Sequence, residues 1–204
     1  MSLKKTFSKI YKNQIWNGKR KDIPLSGPGS SIENTKNIIF FLEEFIYNNN
    51  IKSILDIGCG DLTWTQTTKY FKDVNIKYTG IDIVEDLIKS HKIKFPNNEF
   101  ICKDFNNLNL EKNYDLIILR DVLFHNTLAD IKNLFNLLKN KFKFIAITSC
   151  NNKINDDDLN NIYRFSKRNL HIKPFNISRN FITKIEEPLF DRCFYIYNYE
   201  NFYK

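Results

Sequence analysis

Short unbroken apolar runs alternate along this chain with amphipathic stretches, and that alternation predicts the fold. Lys52–Ile57, Tyr78–Ile83, Glu99–Lys103, Tyr114–Leu119 and Phe142–Thr148 are apolar and rich in β-branched residues. Strands covered by helices on both faces read this way. Between them lie helical patterns. One follows Asp61 and carries Leu62, Trp64 and Phe71; another spans Glu85–Phe95 and is stopped by Pro96-Asn97-Asn98. A third is capped by Thr127 and Asp130, with Leu128, Ile131, Leu134, Phe135 and Leu138 on one face, and a fourth spans Asp156–Arg168. Ahead of the first strand, Phe7, Tyr11 and Trp16 have helix-like spacing, and an irregular segment follows. Ser26–Ser31 (Ser-Gly-Pro-Gly-Ser-Ser) predicts a turn. Ser30 and Glu33 have capping-box spacing for a helix that reaches about Asn48, with Ile38, Leu42, Phe45 and Ile46 inward. Near the end, Phe181–Glu186 and Cys193–Tyr199 read as strands whose five-residue link implies an antiparallel pair. The sum is an α/β fold: a mostly parallel seven-stranded sheet with one antiparallel strand and helices on both faces.

Composition narrows the setting. The 204 residues, 42% hydrophobic and 15% aromatic, suffice for one α/β domain with a full core. The net charge of +8 invites nucleic acid as a partner, but the lysines are scattered from Lys4 to Lys204 without a dense basic block. A solvated basic surface is therefore the favoured reading, and it also suits an anionic substrate. Cys59, Cys102, Cys150 and Cys193 form no C-x-x-C pair, which points to a reducing compartment and away from structural zinc. Met1–Lys12 lacks the apolar core of a signal peptide. Ile38–Ile46 contains Glu43 and Glu44 and is too short to insert in a membrane, so the cytoplasm is expected.

The chemistry-bearing stretch is Ile54-Leu55-Asp56-Ile57-Gly58-Cys59-Gly60-Asp61. A buried strand that ends in an acid and then glycines is suited to bring backbone close to a nucleoside-type ligand. A second acid, Asp82, ends the second strand and a third, Asp104, ends the third. This order, with the terminal hairpin, resembles the class I S-adenosylmethionine-dependent methyltransferases over essentially the whole chain. Gly27–Thr35, Cys59–Trp64 and Leu119–His125 are similar, more narrowly, to small methyltransferases associated with surface-polysaccharide biosynthesis.

The resemblance implies S-adenosylmethionine as cofactor and a single domain, with residues 1–30 as a lid or substrate segment and 31–204 as the core. The backbone of Gly58 and Gly60 would pass under the methionine and ribose moieties, with Asp61 in the same loop. Asp56 would meet the cationic amino end, Asp82 with Ile83 the ribose hydroxyls, and Asp104 with the Phe105 N–H the adenine. Gly29, Ser30, Trp64 and Arg120 join the cofactor set, with a plain cap for the Gly-Ser turn, core packing for Trp64 and a surface ion pair for Arg120 as the alternatives. Three carboxylates suit a cationic cofactor and are awkward beside a pyrophosphate. Many relatives carry a third glycine where this chain has Leu62.

A hydroxyl acceptor must lose its proton as it attacks. The base candidates are Asp121 and His125, four residues apart just past the fourth strand, where open α/β sheets bind ligands. Packing for His125 and capping for Asp121 are the plain alternatives. The metal-dependent catechol-type enzymes place an Asp-Asn pair after the fifth strand; here Asn151-Asn152 lacks the acid, which argues against a metal. The expected activity is O-methylation of a small or sugar-like acceptor. A ribose-methylating RNA enzyme would draw on Asp121, Lys153 and Glu186, a weak match in so lysine-rich a chain. A cofactor-binding but inactive partner subunit is the third reading.

Overall fold

The structure is a computed structural model that describes residues 2–157, 165–187 and 190–204. It divides into two compact units, residues 1–104 and 105–204.

The first unit opens with α1 (Leu3–Lys12), whose N-cap Ser2 accepts from Lys5 N. Trp16 lies beyond this helix, yet its ring packs edge-on against Phe7 and Tyr11 at centroid distances of 6.0 and 5.5 Å. The next helix, α2 (Ile32–Asn48), is capped by Ser31 rather than Ser30; Ser31 accepts from Asn34 N, and Ser30 belongs to a short 3-10 turn over Pro28–Ser30. Ile38, Leu42, Phe45 and Ile46 are buried as the periodicity predicts.

Strands β1 (Ser53–Ile57), β2 (Lys77–Asp82) and β3 (Glu99–Cys102) pair in parallel, in the order β3-β2-β1. The long helix expected after Asp61 is only a 3-10 turn (Thr65–Thr67) and the single-turn α3 (Lys69–Lys72). Thr68 starts α3 as its N-cap, and four Thr in Thr63–Thr68 favour caps over helix interiors. Helix α4 (Glu85–Lys94) returns to β3. Gly80 lets β2 lie against it closely: a Cβ there would come within 2.9 Å of the Phe100 ring.

The second unit holds β4 (Tyr114–Leu119), α5 (Leu128–Leu137), β5 (Phe142–Cys150), β6 (Thr183–Glu187), β7 (Arg192–Asn198) and α6 (Tyr199–Tyr203). Thr127 and Asp130 close a full capping box on α5. The strand order is β4-β5-β7-β6, with β4 and β5 parallel and β7 antiparallel to both β5 and β6. The two runs make up the seven strands of a mostly parallel sheet.

The helix predicted over Asp156–Arg168 is not found where the chain is described: residues 156–157 and 165–168 are irregular, and 158–164 lie outside the described residues. At the described ends of this span, side chains supply the order. Arg168, wholly buried, donates to the carbonyls of Asp156 and Asn126, and Asn155 and Asn169 bridge further carbonyls.

Candidate functional site

The loop after β1 is held in a shape that few residues adopt. Gly58, Gly60 and Leu62 have φ of +75°, +60° and +58°. Glycine takes such angles without penalty, whereas a leucine is strained by about 1 kcal/mol or more. Leu62 is buried, so its packing offsets the strain of its backbone. The N–H groups of Gly58 and Cys59 both donate to Ile81 O, at 2.7 and 3.0 Å, which ties the loop to the end of β2.

Asp82, the last residue of β2, organises this turn. Its Oδ2 accepts from Gly60 N at 3.0 Å and its Oδ1 from Val84 N at 2.9 Å. Burial raises its pKa, and the N–H groups of Val84, Gly60 and Ile83 oppose that shift. A carboxylate has about four acceptor sites. Backbone N–H groups thus engage both oxygens and fix the carboxylate at the end of β2, an orientation in which its remaining acceptor capacity suits the hydroxyls of a diol.

The remaining residues expected in the cofactor set take varied positions. Asp56 is buried on β1 and accepts from Tyr78 Oη at 2.7 Å. Burial, with the Asp56 charge, pushes the Tyr78 phenol far above its ordinary value, so the phenol is the donor. Asp61 receives Ser26 N on Oδ2 at 2.9 Å and Thr63 N on Oδ1 at 3.1 Å. Gly29, Ser30, Ile83 and Asp104 are half-buried, whereas Trp64 is 6% exposed and packs in the core. In this unit the structure brings together Gly58, Gly60, Asp61 and Asp82. Sequence reasoning missed Tyr11, Ser26 and His91. His91 sits on α4 with its Nε2 2.8 Å from Gly60 O. A carbonyl only accepts, so that nitrogen carries the proton.

In the second unit the segment after β4 carries Arg120, Asp121 and His125. Arg120 is neither a surface ion pair nor open to solvent. Its Nη2 contacts Glu187 Oε2 at 2.7 Å and its Nη1 contacts Asp121 Oδ2 at 3.0 Å. Arg192, opposite Glu187 in the β6–β7 register, completes a quartet that is buried except for half-buried Asp121, with Nη2 at 2.8 Å from Asp121 Oδ2 and 3.2 Å from Glu187 Oε2. Burial works against the charge of Arg192, but the two carboxylates more than offset it and raise its pKa. Its guanidinium also lies over the Phe190 ring, 4.4 Å from the centroid.

Asp121 has φ of +60°, so it does not begin a helical turn, and its backbone does not carry it onto one face with His125. Half-buried His125 ends the 3-10 turn Leu123–His125, and Phe105 begins another, over Phe105–Asn107. Glu187 and Arg192 also went unforeseen, though a short hairpin link makes them facing neighbours. The RNA-enzyme triad does not assemble: Glu186 faces solvent beside Lys184, on the opposite side of β6 from buried Glu187. Among the described residues no helix is long and apolar enough to cross a membrane.

The N-methyltransferase NodS from Bradyrhizobium japonicum, solved with S-adenosyl-L-homocysteine, has a TM-score of 0.65 at 11% identity, covering 93% of this chain and 98% of its own. An S-adenosylmethionine-dependent methyltransferase from Clostridium acetobutylicum has a TM-score of 0.53 at 18% identity, covering 96% and 98%. These likenesses establish the fold. Putative methyltransferase 235L of Invertebrate iridescent virus 6 is 30% identical over 112 residues, which are 53% of this chain and 41% of that protein. The chain spans about half the length of the curated relatives it matches. The family described as a methyltransferase domain matches residues 48–187, and the chain belongs to that family.

Proposed function

We propose that the chain is an S-adenosylmethionine-dependent O-methyltransferase acting on a small or sugar-like hydroxyl acceptor. The carrying observation is Asp82, whose buried carboxylate fixes the glycine loop through Gly60 N and is held by backbone N–H groups at the end of β2, where its remaining acceptor capacity suits ribose hydroxyls. Gly58 and Gly60 supply backbone that a ligand can approach closely. Asp56, Asp61, Ile83 and Asp104 with Phe105 complete the cofactor set in this reading, Gly29 and Ser30 border it, and Arg120 acts by anchoring Asp121. S-adenosylmethionine supplies an activated methyl group. The protein's part is positioning and removal of the acceptor proton.

His125 is assigned as the base. Asp121 Oδ2 is committed to two guanidiniums, which makes this residue the anchor of the loop that carries His125. The sugar-like acceptor rests on the motif resemblance. An RNA acceptor is disfavoured because Glu186 stands apart from the quartet.

Calorimetry with S-adenosylhomocysteine tests the donor half: wild type binds, and Asp82→Asn binds at least about tenfold more weakly, as loss of a charge-assisted acceptor implies. Methyl transfer to a panel of nucleotide sugars, free sugars and short RNA tests the acceptor half. His125→Ala lowers turnover and leaves donor affinity intact. Methylation confined to RNA or to nitrogen would contradict the acceptor assignment.

A further inference from the structure

The glycine loop is gripped from three elements, and one of them is the N-terminal segment. Gly60 gives its N–H to Asp82 and receives His91 on its carbonyl. The next residue, Asp61, exchanges two bonds with Ser26: Asp61 N donates to Ser26 Oγ at 3.1 Å, and Ser26 N donates to Asp61 Oδ2 at 2.9 Å. Ser26 Oγ lies 2.8 Å from Tyr11 Oη. Tyr11 packs on Trp16, and a Cβ at Gly27 would rest 3.6 Å from the Trp16 Cβ. A Cβ at Gly60 would sit 2.6 Å from Ser26 Oγ and 3.2 Å from Tyr11 Oη. That side of the loop is thus already covered by residues 11 and 26, which brace the loop from behind.

The loop needs such a brace. Strained backbone persists only where its surroundings over-determine it. The strained residue is Leu62, directly after Asp61, whose side chain links Ser26 to Thr63.

We infer that Ser26, seated by Tyr11, is a positioning residue for the donor loop, and that donor binding is energetically coupled to docking of residues 3–27. The inference rests on the S-adenosylmethionine reading and deepens it. A ligand that needs one loop conformation binds with an affinity scaled by the fraction of molecules in it. Coupling between sites is reciprocal, so the donor must in turn hold the N-terminal segment in place.

The test uses S-adenosylhomocysteine and the full chain. Ser26→Ala keeps the backbone bond to Asp61 but strips a partner from Asp61 N and from the Tyr11 hydroxyl. It is expected to bind about fivefold to tenfold more weakly than wild type, the worth of one or two net hydrogen bonds. Arg20→Ala, in the same segment but paired with exposed Asp22, is expected to bind as wild type does. Hydrogen exchange on wild type, which needs no variant to fold, is expected to slow across α1 and at Gly27 when ligand is added. Ser26→Ala binding within twofold of wild type, or α1 exchange that ignores the ligand, would overturn the coupling. Wild type that fails to bind S-adenosylhomocysteine at all would instead overturn the proposed function, and the inference with it.

Discussion

Glu187 and Glu186 are adjacent in sequence and opposite in circumstance, which makes them a sharp test of the Arg120–Asp121–Glu187–Arg192 quartet. Glu187 accepts from Arg120 Nη2 at 2.7 Å and from Arg192 Nη2 and Nε at 3.2 and 3.3 Å. Two guanidiniums and two carboxylates balance, so the quartet carries no net charge. Glu187→Gln keeps the shape and one acceptor oxygen but leaves the two arginines sharing Asp121 alone. Unit charges about 4 Å apart interact by roughly 4 kcal/mol at an effective dielectric near 20. Breaking a buried pair by removing one partner costs about 3–5 kcal/mol. With a urea slope of about 2 kcal/mol per molar, the midpoint should fall by roughly 2 M. Glu186→Gln, on the solvent face beside Lys184, should leave the midpoint where it is. Adding Arg192→Met to Glu187→Gln restores neutrality, so the double variant should lose clearly less than the sum of the singles. Equal midpoints for the two glutamine variants, or additivity of the double to within about 0.5 kcal/mol, would refute the reasoning.

Two further outcomes follow from the first unit. At Leu62 the usual ranking should invert: Leu62→Gly should be more stable than Leu62→Ala by about 1 kcal/mol, since only glycine relaxes at φ of +58°, although both lose the buried side chain. A thermal series in which the alanine variant melts higher would show that the backbone there is not strained. Burial lowers the pKa of His91 and of His171. The native state therefore binds fewer protons than the unfolded chain near pH 6.5, and this share of stability is present above that pH and lost as pH falls through the folded values. Asp82, whose pKa is raised, contributes with the opposite sign. His91→Gln should flatten the decline in melting temperature between pH 7 and 5; a slope unchanged from wild type would remove His91 from the account.

The sheet was legible because strands buried on both faces leave unbroken β-branched runs. The five strands read from those runs, and the two read from the terminal hairpin, lie where they were expected, shifted by a residue or two at their ends. The Asp56–Asp61 loop and Asp82 were legible for a related reason, since a strand end and a glycine each leave a local signature. Of the helix expected over Asp156–Arg168, residues 158–164 lie outside the described residues; at its described ends, order comes from Arg168 reaching backbone carbonyls far away in sequence, which leaves no local signature. His91 left no trace for a comparable reason: its partner, Gly60 O, is 31 positions away. The Ser30 cap was an error of one residue between two serines that the chain makes chemically alike. Arg120 looked like a surface cation because its partner Glu187 lies 67 residues on, and only the strand register brings the two together.

Cys59 gives the glycine loop a built-in clock. Its thiol is buried between Gly58 and Gly60, and burial, with Asp82 and Asp56 nearby, pushes its pKa far up. The closed loop therefore holds almost no thiolate, the form that alkylating reagents attack. Cys102 is exposed at the end of β3 and will react first. Once it is blocked, the slow alkylation of Cys59 counts how often the loop comes apart, with no label added to the chain.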